Sequence, residues 1–198
     1  MSDMDALLVG RWTGETDQAE RAAAPDPSEV AYMAYNGHSG RVFGVLKLLP
    51  AARRADYELP AVLRQAVVGG LEALRATSPA DPGRPGLISL VGELVERHVQ
   101  RAGRAASRDL VRSLLEWSRF LFAEARLPEA ELAADRALDL SLTFPDLRGR
   151  VVLEKAACLS ARGDHAAAYA LLDALFSRCD LVADRGVVPE VALALGRA

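Results

Sequence analysis

The side chains best suited to metal ligation or nucleophilic chemistry near neutral pH are few: His38, His98, His165, Cys158 and Cys179. Their spacing argues against most of that chemistry. There is no CxxC pair and no finger-type Cys/His spacing, so neither a zinc site nor a disulfide framework is expected. His98 is five positions from Glu93 and two from Glu96, and those offsets do not bring three ligands to one helical face. His38 sits in Asn36-Gly37-His38-Ser39-Gly40. That loop could cradle an anion through its backbone N–H groups, but reads more simply as a turn. The cysteines lie in apolar helical contexts, as free buried thiols do in a reducing compartment. The chain contains no GxGxxG, Walker-type loop, HExxH or GxSxG. The expectation is a protein without catalytic residues, metal or cofactor, and not an enzyme.

The residues with stronger spacing are arginines. Arg97, Arg101, Arg104, Arg108 and Arg112 follow one another at intervals of four, three, four and four. On one continuous helix this would be a cationic stripe able to meet an acidic peptide or a phosphate backbone. Gly103 and Ser107 interrupt it, so it straddles a corner between helices. No aromatic residue interleaves it, which argues against base stacking. The charge blocks agree: residues 1–35 hold seven acids and two arginines, and residues 36–108 hold eleven bases and six acids. The sequence therefore offers nucleic acid as a second class of partner. Only Lys47 and Lys155 among the basic residues are lysine, a coding bias of GC-rich bacterial genomes rather than a functional signal.

The elements that position these residues are helical. Hydrophobic residues make up 51% of the chain and aromatics only 6%, so the core rests on Ala, Leu and Val, and Ala and Leu are strong helix formers. Proline and glycine mark breaks at residues 25–28, 36–40 and 78–86. Between breaks, apolar residues recur at three and four, as in Leu110, Leu114, Trp117, Leu121 and Phe122, or Val151, Val152, Ala156 and Leu159. Segments 30–35 and 41–49 flank an Asn-Gly turn and admit a hairpin; the spacing of Val42, Val45, Leu46 and Leu49 favours two short helices.

The second half contains a repeat. Residues 123–130 and 161–168 each end one helix, turn tightly and start another, and Ala130 in the first copy recurs as Ala168 in the second. In that register Ser118 matches Ala156, Leu121 matches Leu159 and Leu138 matches Phe176. Small residues in mid-helix suit the close approach of paired helices. Over residues 107–180 the pattern resembles a divergent tetratricopeptide repeat (TPR), with Ser118 and Ala156 small in the first helix and Ala130, Ala168 and Ala137 small in the second. Leu175 departs from that pattern, and the turn glycine is Gly163 in one copy but Ala125 in the other. Gly44 and Gly92 are candidates for the small positions of two earlier copies.

The resemblance implies an all-α solenoid of antiparallel helix pairs: about 28–55, 59–103, 107–143 and 147–179, a capping helix over 182–197, and an acidic arm over 1–27. It implies a groove lined by the first helix of each pair, which here would present Arg112, Leu115, Glu116, Arg119, Phe122, Arg150, Leu153 and Glu154. The Asn and Lys residues with which the family clamps a terminal carboxylate are missing at these positions. The expected function is a protein–protein interaction scaffold or adaptor that holds a partner segment in the groove. The alternative is a nucleic-acid-associated regulator using Arg97, Arg101, Arg104 and Arg108. No membrane span or signal peptide is read, so a cytoplasmic location is expected. An uncapped solenoid end would favour a homodimer.

Overall fold

A computed structural model describes residues 25–102 and 107–177. Among them the chain is all-α, without a strand. The helices are α1 (Pro27–Tyr35), α2 (Ser39–Leu48), α3 (Ala51–Arg54), α4 (Pro60–Ala76), α5 (Arg84–Ala102), α6 (Arg108–Ala123), α7 (Leu127–Leu140), α8 (Pro145–Ala161) and α9 (His165–Phe176). The Asn-Gly segment thus joins two helices and is not a hairpin. The capping helix expected over 182–197 and almost all of the acidic arm lie outside the described residues.

Local chemistry explains the starts and stops. Asp26, Ser107 and Asp164 cap α1, α6 and α9, each side chain accepting from a backbone N–H of the first turn. Proline occupies the first turn of α1, α4, α7 and α8, where its missing N–H costs nothing. Three of the turns between helices are the same object. His38 N donates to Met33 O, Arg126 N to Leu121 O and Asp164 N to Leu159 O, at 3.0, 2.9 and 2.9 Å. The preceding residue in each bonds three back and sits left-handed: Gly37 at φ 74°, Ala125 at 58° and Gly163 at 88°. These are Schellman turns, which satisfy the last carbonyls of a helix while reversing the chain. The connection from α4 to α5 differs: residues 77–83 carry two prolines and no such turn.

Packing is local in sequence. α6 touches α7, α8, α4 and α5, and α8 touches α9, α7 and α6. Most helices therefore meet their chain neighbours and the helix two places along. Where helices cross most closely the residues are small. Ser118, Ala130, Ala137, Ala156 and Ala168 are all buried, and Ser118 Oγ donates to Ala130 O at 2.8 Å. Gly69 and Gly70 of α4 do the same work earlier in the chain. A Cβ on Gly69 would stand 2.2 Å from Ser39 O, and one on Gly70 would stand 2.5 Å from Val91 Cγ2 and 2.9 Å from Phe43. Gly44 has nothing within 4 Å of such a Cβ, so the tight contact in this part of the chain belongs to Gly69 and Gly70. Gly92 does approach Trp117, at 3.4 Å.

Two cores result. The larger runs from Val30 in α1 to Leu147, Val151 and Cys158 in α8. The smaller comprises Val152, Ala156 and Leu159 of α8 with Ala168 and Leu172 of α9. One buried arginine closes the α4–α5 loop. Arg84 donates to Leu74 O at 2.6 Å and Thr77 O at 2.5 Å, pairs with Glu124 at 2.6 Å and stacks over Phe120. A cation there answers the free carbonyls at the end of α4.

The turns make a direct prediction. Ala125 carries the left-handed strain that glycine avoids, so Ala125→Gly should stabilise the chain by about 0.5 kcal/mol, and Gly163→Ala should destabilise it by about 1 kcal/mol. Gly70→Ala overpacks the α2–α4–α5 junction and should cost about 1–3 kcal/mol. Urea denaturation of the three variants checks the signs and the order.

Candidate partner-binding groove

α4, α6 and α8 lie side by side and line a groove of about 570 Å³. From α4 come Arg64, Val67, Val68, Leu71, Glu72 and Arg75. From α6 come Asp109, Arg112, Ser113, Leu115, Glu116 and Arg119, and from α8 Asp146, Leu147 and Arg150. Each helix has its apolar stripe against the core, so the flank that remains brings long charged side chains to its neighbour.

Those charges are organised as rungs between helices. At one end Arg75 meets Glu116 at 3.0 Å, Glu116 meets Arg119 at 3.1 Å, and Arg119 meets Glu154 at 3.3 Å. At the other, Arg64 meets Asp109 at 3.3 Å and Arg108 meets Asp146 at 2.8 Å through both guanidinium nitrogens. Two groove arginines stand apart. Arg112 has only Asp109, at 3.9 Å, and exposed Arg150 has no ion pair among the described residues. Arg112 is to Ser118 as Arg150 is to Ala156, the same number of positions before it. The two arginines therefore occupy equivalent places on adjacent first helices.

Of the residues expected in the groove, Arg112, Leu115, Glu116, Arg119 and Arg150 come together there. Glu154 joins through Arg119 and is nearly buried. Phe122 instead packs against the larger core and Leu153 against the smaller. The sequence reading misses the contribution of α4; the Gly69-Gly70 pair inside a helical stretch is the signal that points to it. The described arginines of the basic strip are each paired with a carboxylate. Arg97 binds Glu58 and Glu93, Arg101 binds Glu58, and Arg108 binds Asp146 while covering Phe144. Arg104 lies outside the described residues. Burial alone would raise the Glu58 carboxyl, but hydrogen bonds and charge from Arg101 and Arg97 outweigh it and hold it below its ordinary range.

A larger cleft, about 720 Å³, opens between α5 and α7, over Leu114, Trp117 and Leu121 of α6. Its charged rim is paired: Arg84 with Glu124, Arg126 with Glu129, and Arg136 with Glu96. Cys158 and the residues of the α8–α9 turn have structural roles. Cys158 is buried, and burial, with Glu154 nearby, pushes its thiol up to about 11, so it stays protonated and unreactive. Cys179 lies outside the described residues. Arg162 and Asp164 serve the α8–α9 turn, Arg162 by pairing with Glu131 and Asp164 by capping α9. Among the described residues no three His, Cys, Asp or Glu side chains could hold a metal, and no helix is long and apolar enough to cross a membrane.

Comparison of the chain with family models, with curated proteins and with solved structures finds no match.

Glu154 provides a test of the rungs. Burial raises its carboxyl above the ordinary value, and Arg119 pulls it part of the way back. A raised folded pKa gives stability that is present below the unfolded value and is lost as pH rises through the folded one. Arg119→Ala should therefore raise Glu154 further and cost about 1 kcal/mol at neutral pH, the exposure of Arg119 limiting the effect. Adding Glu154→Gln should restore most of the loss. Denaturation of the single and double variants at pH 5 and pH 8, with a Glu154 side-chain titration by NMR, reads the coupling.

Proposed function

We propose that this chain is a non-enzymatic, TPR-like helical-repeat module that binds an extended acidic segment of another protein across α4, α6 and α8. The repeat reading is supported by the three matching turns, by the common register of small crossing residues in the last two pairs, and by contacts confined to near neighbours along the chain. The single observation that carries the ligand reading is the pair Arg112 and Arg150. They line one groove at equivalent positions; Arg150 has no ion pair among the described residues and Arg112 has only Asp109 at 3.9 Å, while Arg64, Arg75 and Arg119 meet carboxylates at 3.0–3.3 Å.

The chemistry follows from what is free. Charges satisfied inside the groove make it rigid and contribute little attraction. Two register-matched guanidinium groups remain for carboxylates on a ligand, each a good fork for bidentate contact. Val68, exposed on α4, with Leu115 and Leu147 gives the apolar strip beside them. Three helices at about 9–10 Å spacing span about 20 Å, which an extended segment of about six residues crosses. The nucleic-acid reading draws on the 97–108 strip, and its described arginines are each held by a carboxylate of this chain.

A panel of fluorescent hexapeptides, acidic–apolar, basic–apolar and neutral, titrated into the full chain tests the proposal. Acidic–apolar members should bind best, and Arg112→Glu/Arg150→Glu should weaken them about tenfold or more without changing the unfolding midpoint. Equal binding of all three classes, or an unaffected double variant, overturns it. A single-stranded hexanucleotide that binds as well as the acidic peptides, with the same loss in the variant, would replace the protein partner with nucleic acid.

A further inference from the structure

A second cavity, about 470 Å³, lies where the α1–α2 turn meets the start of α4, the end of α5 and the start of α6. His98 lines it from α5, on the stripe that also buries Leu94 and Val95. The imidazole is 1% exposed, and its Nδ1 has no hydrogen-bond partner. A buried polar atom left unpaired costs about 1–3 kcal/mol, so it calls for a partner. Around it stand mostly donors. Arg64 and Gln65 project from the first turns of α4. That helix has no side-chain cap, and Pro60 and Ala61 of its first turn also line the cavity. The start of α6 enters from another side at Ser107 and Asp109. Asp109 is the one carboxylate present, and it engages Arg64 through Nη1 alone, at 3.3 Å; the charges of the lining balance, and the other N–H groups of the guanidinium have no partner among the described residues. The mouth is different: Tyr35 and Leu59 are exposed there.

We infer that this cavity is a binding site for a small organic anion, a carboxylate or phosphate monoester with an apolar or aromatic body. The oxyanion would meet the Arg64 guanidinium, the Gln65 amide, the His98 ring and the uncapped first turn of α4, and the body would rest on Tyr35 and Leu59. Helix starts and a fixed guanidinium are a sound cradle for negative charge, and the volume falls within the range of small-molecule sites. Burial lowers the His98 pKa, with Asp109 opposing it and Arg64 acting in the same sense. The ring therefore enters as a neutral hydrogen-bonding group, which an anion accepts and a buried cation's desolvation would penalise. The site shares Arg64 and Asp109 with the end of the groove, but its occupancy does not require a peptide there.

Benzoate, phenyl phosphate and neutral benzamide are the probes, each titrated into the full chain to about 10 mM, a range that reaches millimolar affinity. The readout is the pair of His98 ring nitrogen resonances. A saturable His98 shift with benzoate, phenyl phosphate or both, absent with benzamide, is expected, and which anion saturates first identifies a carboxylate or a phosphate ligand. Arg64→Gln and, separately, Gln65→Leu should each weaken that binding about tenfold or more; the second leaves the Arg64–Asp109 pair in place and guards against a general loss of structure. No shift with either anion, an equal shift with benzamide, or unchanged binding in both variants overturns the assignment.

Discussion

The distance at which two helices cross governs this molecule. At Gly70, Ser118 and Ala156 the helices α4, α6 and α8 carry almost no side chain, and the helices they meet come in close. Gly70 admits both Phe43 and Val91, and Ser118 reaches the backbone of α7. With these crossings drawn tight, α6 seats alongside α4 and α8 alongside α6. The flanks of α4, α6 and α8 are then near enough for one arginine to reach a neighbouring carboxylate. The groove and its rungs are thus products of small residues buried on the opposite side of the same helices.

Electrostatics then sorts the arginines into two kinds. Arg75, Arg119, Arg64 and Arg108 answer carboxylates on an adjacent helix and fix spacing. Among the described residues Arg150 has no ion pair and Arg112 has only the long one to Asp109. The only described lysine near burial, Lys155, makes the contrast clear. It pairs with Glu131 at 2.8 Å and Asp135 at 2.7 Å, and those partners, acting against the burial that would lower it, keep its pKa above the ordinary lysine value. It ties α7 to α8 on the side away from the groove. A count of positive charge along the chain cannot separate these roles, because the carboxylate that satisfies an arginine lies on a different helix, as Glu154 does for Arg119 and Asp109 for Arg64.

Much of the architecture is legible where the spacing is regular. Turns at 124–126 and 162–164 have equal lengths, so the shared register of Ser118 and Ala156 stands out, and the helical character of 107–176 follows. The first half hides the same relation. Gly70 and Gly92 stand much farther apart along the chain than Ser118 and Ala130, because α5 begins earlier and the proline-bearing loop is longer. That displacement conceals α4 as a wall of the groove. Position alone puts Phe122 and Leu153 in the groove; a residue one step round a helix turns from solvent to core, and both turn inward. Arg84 carries no signal, since its partners are backbone carbonyls that any sequence supplies. His98 is visible only as a histidine on an apolar stripe, and its unpaired nitrogen is a property of the packing around it.

The division of the interior into two cores gives the chain a direction. Among the described residues α8 is held on one side by the large core through Leu147, Val151 and Cys158, while α9 is held by the small one alone, through Ala168 and Leu172. Protection against hydrogen exchange should therefore step down at the α8–α9 turn, with α9 opening at lower free energy than α6 or α7. Opening α9 bares Val152, Ala156 and Leu159 and loosens α8, the helix that carries Arg150. Whatever fastens α8 to α6 must then slow the fraying of α9 by the same free energy with which an intact α9 favours that fastening. The last described helix acts as a ratchet pawl on the groove: it lines none of it, yet it sets how long the third wall stays in place.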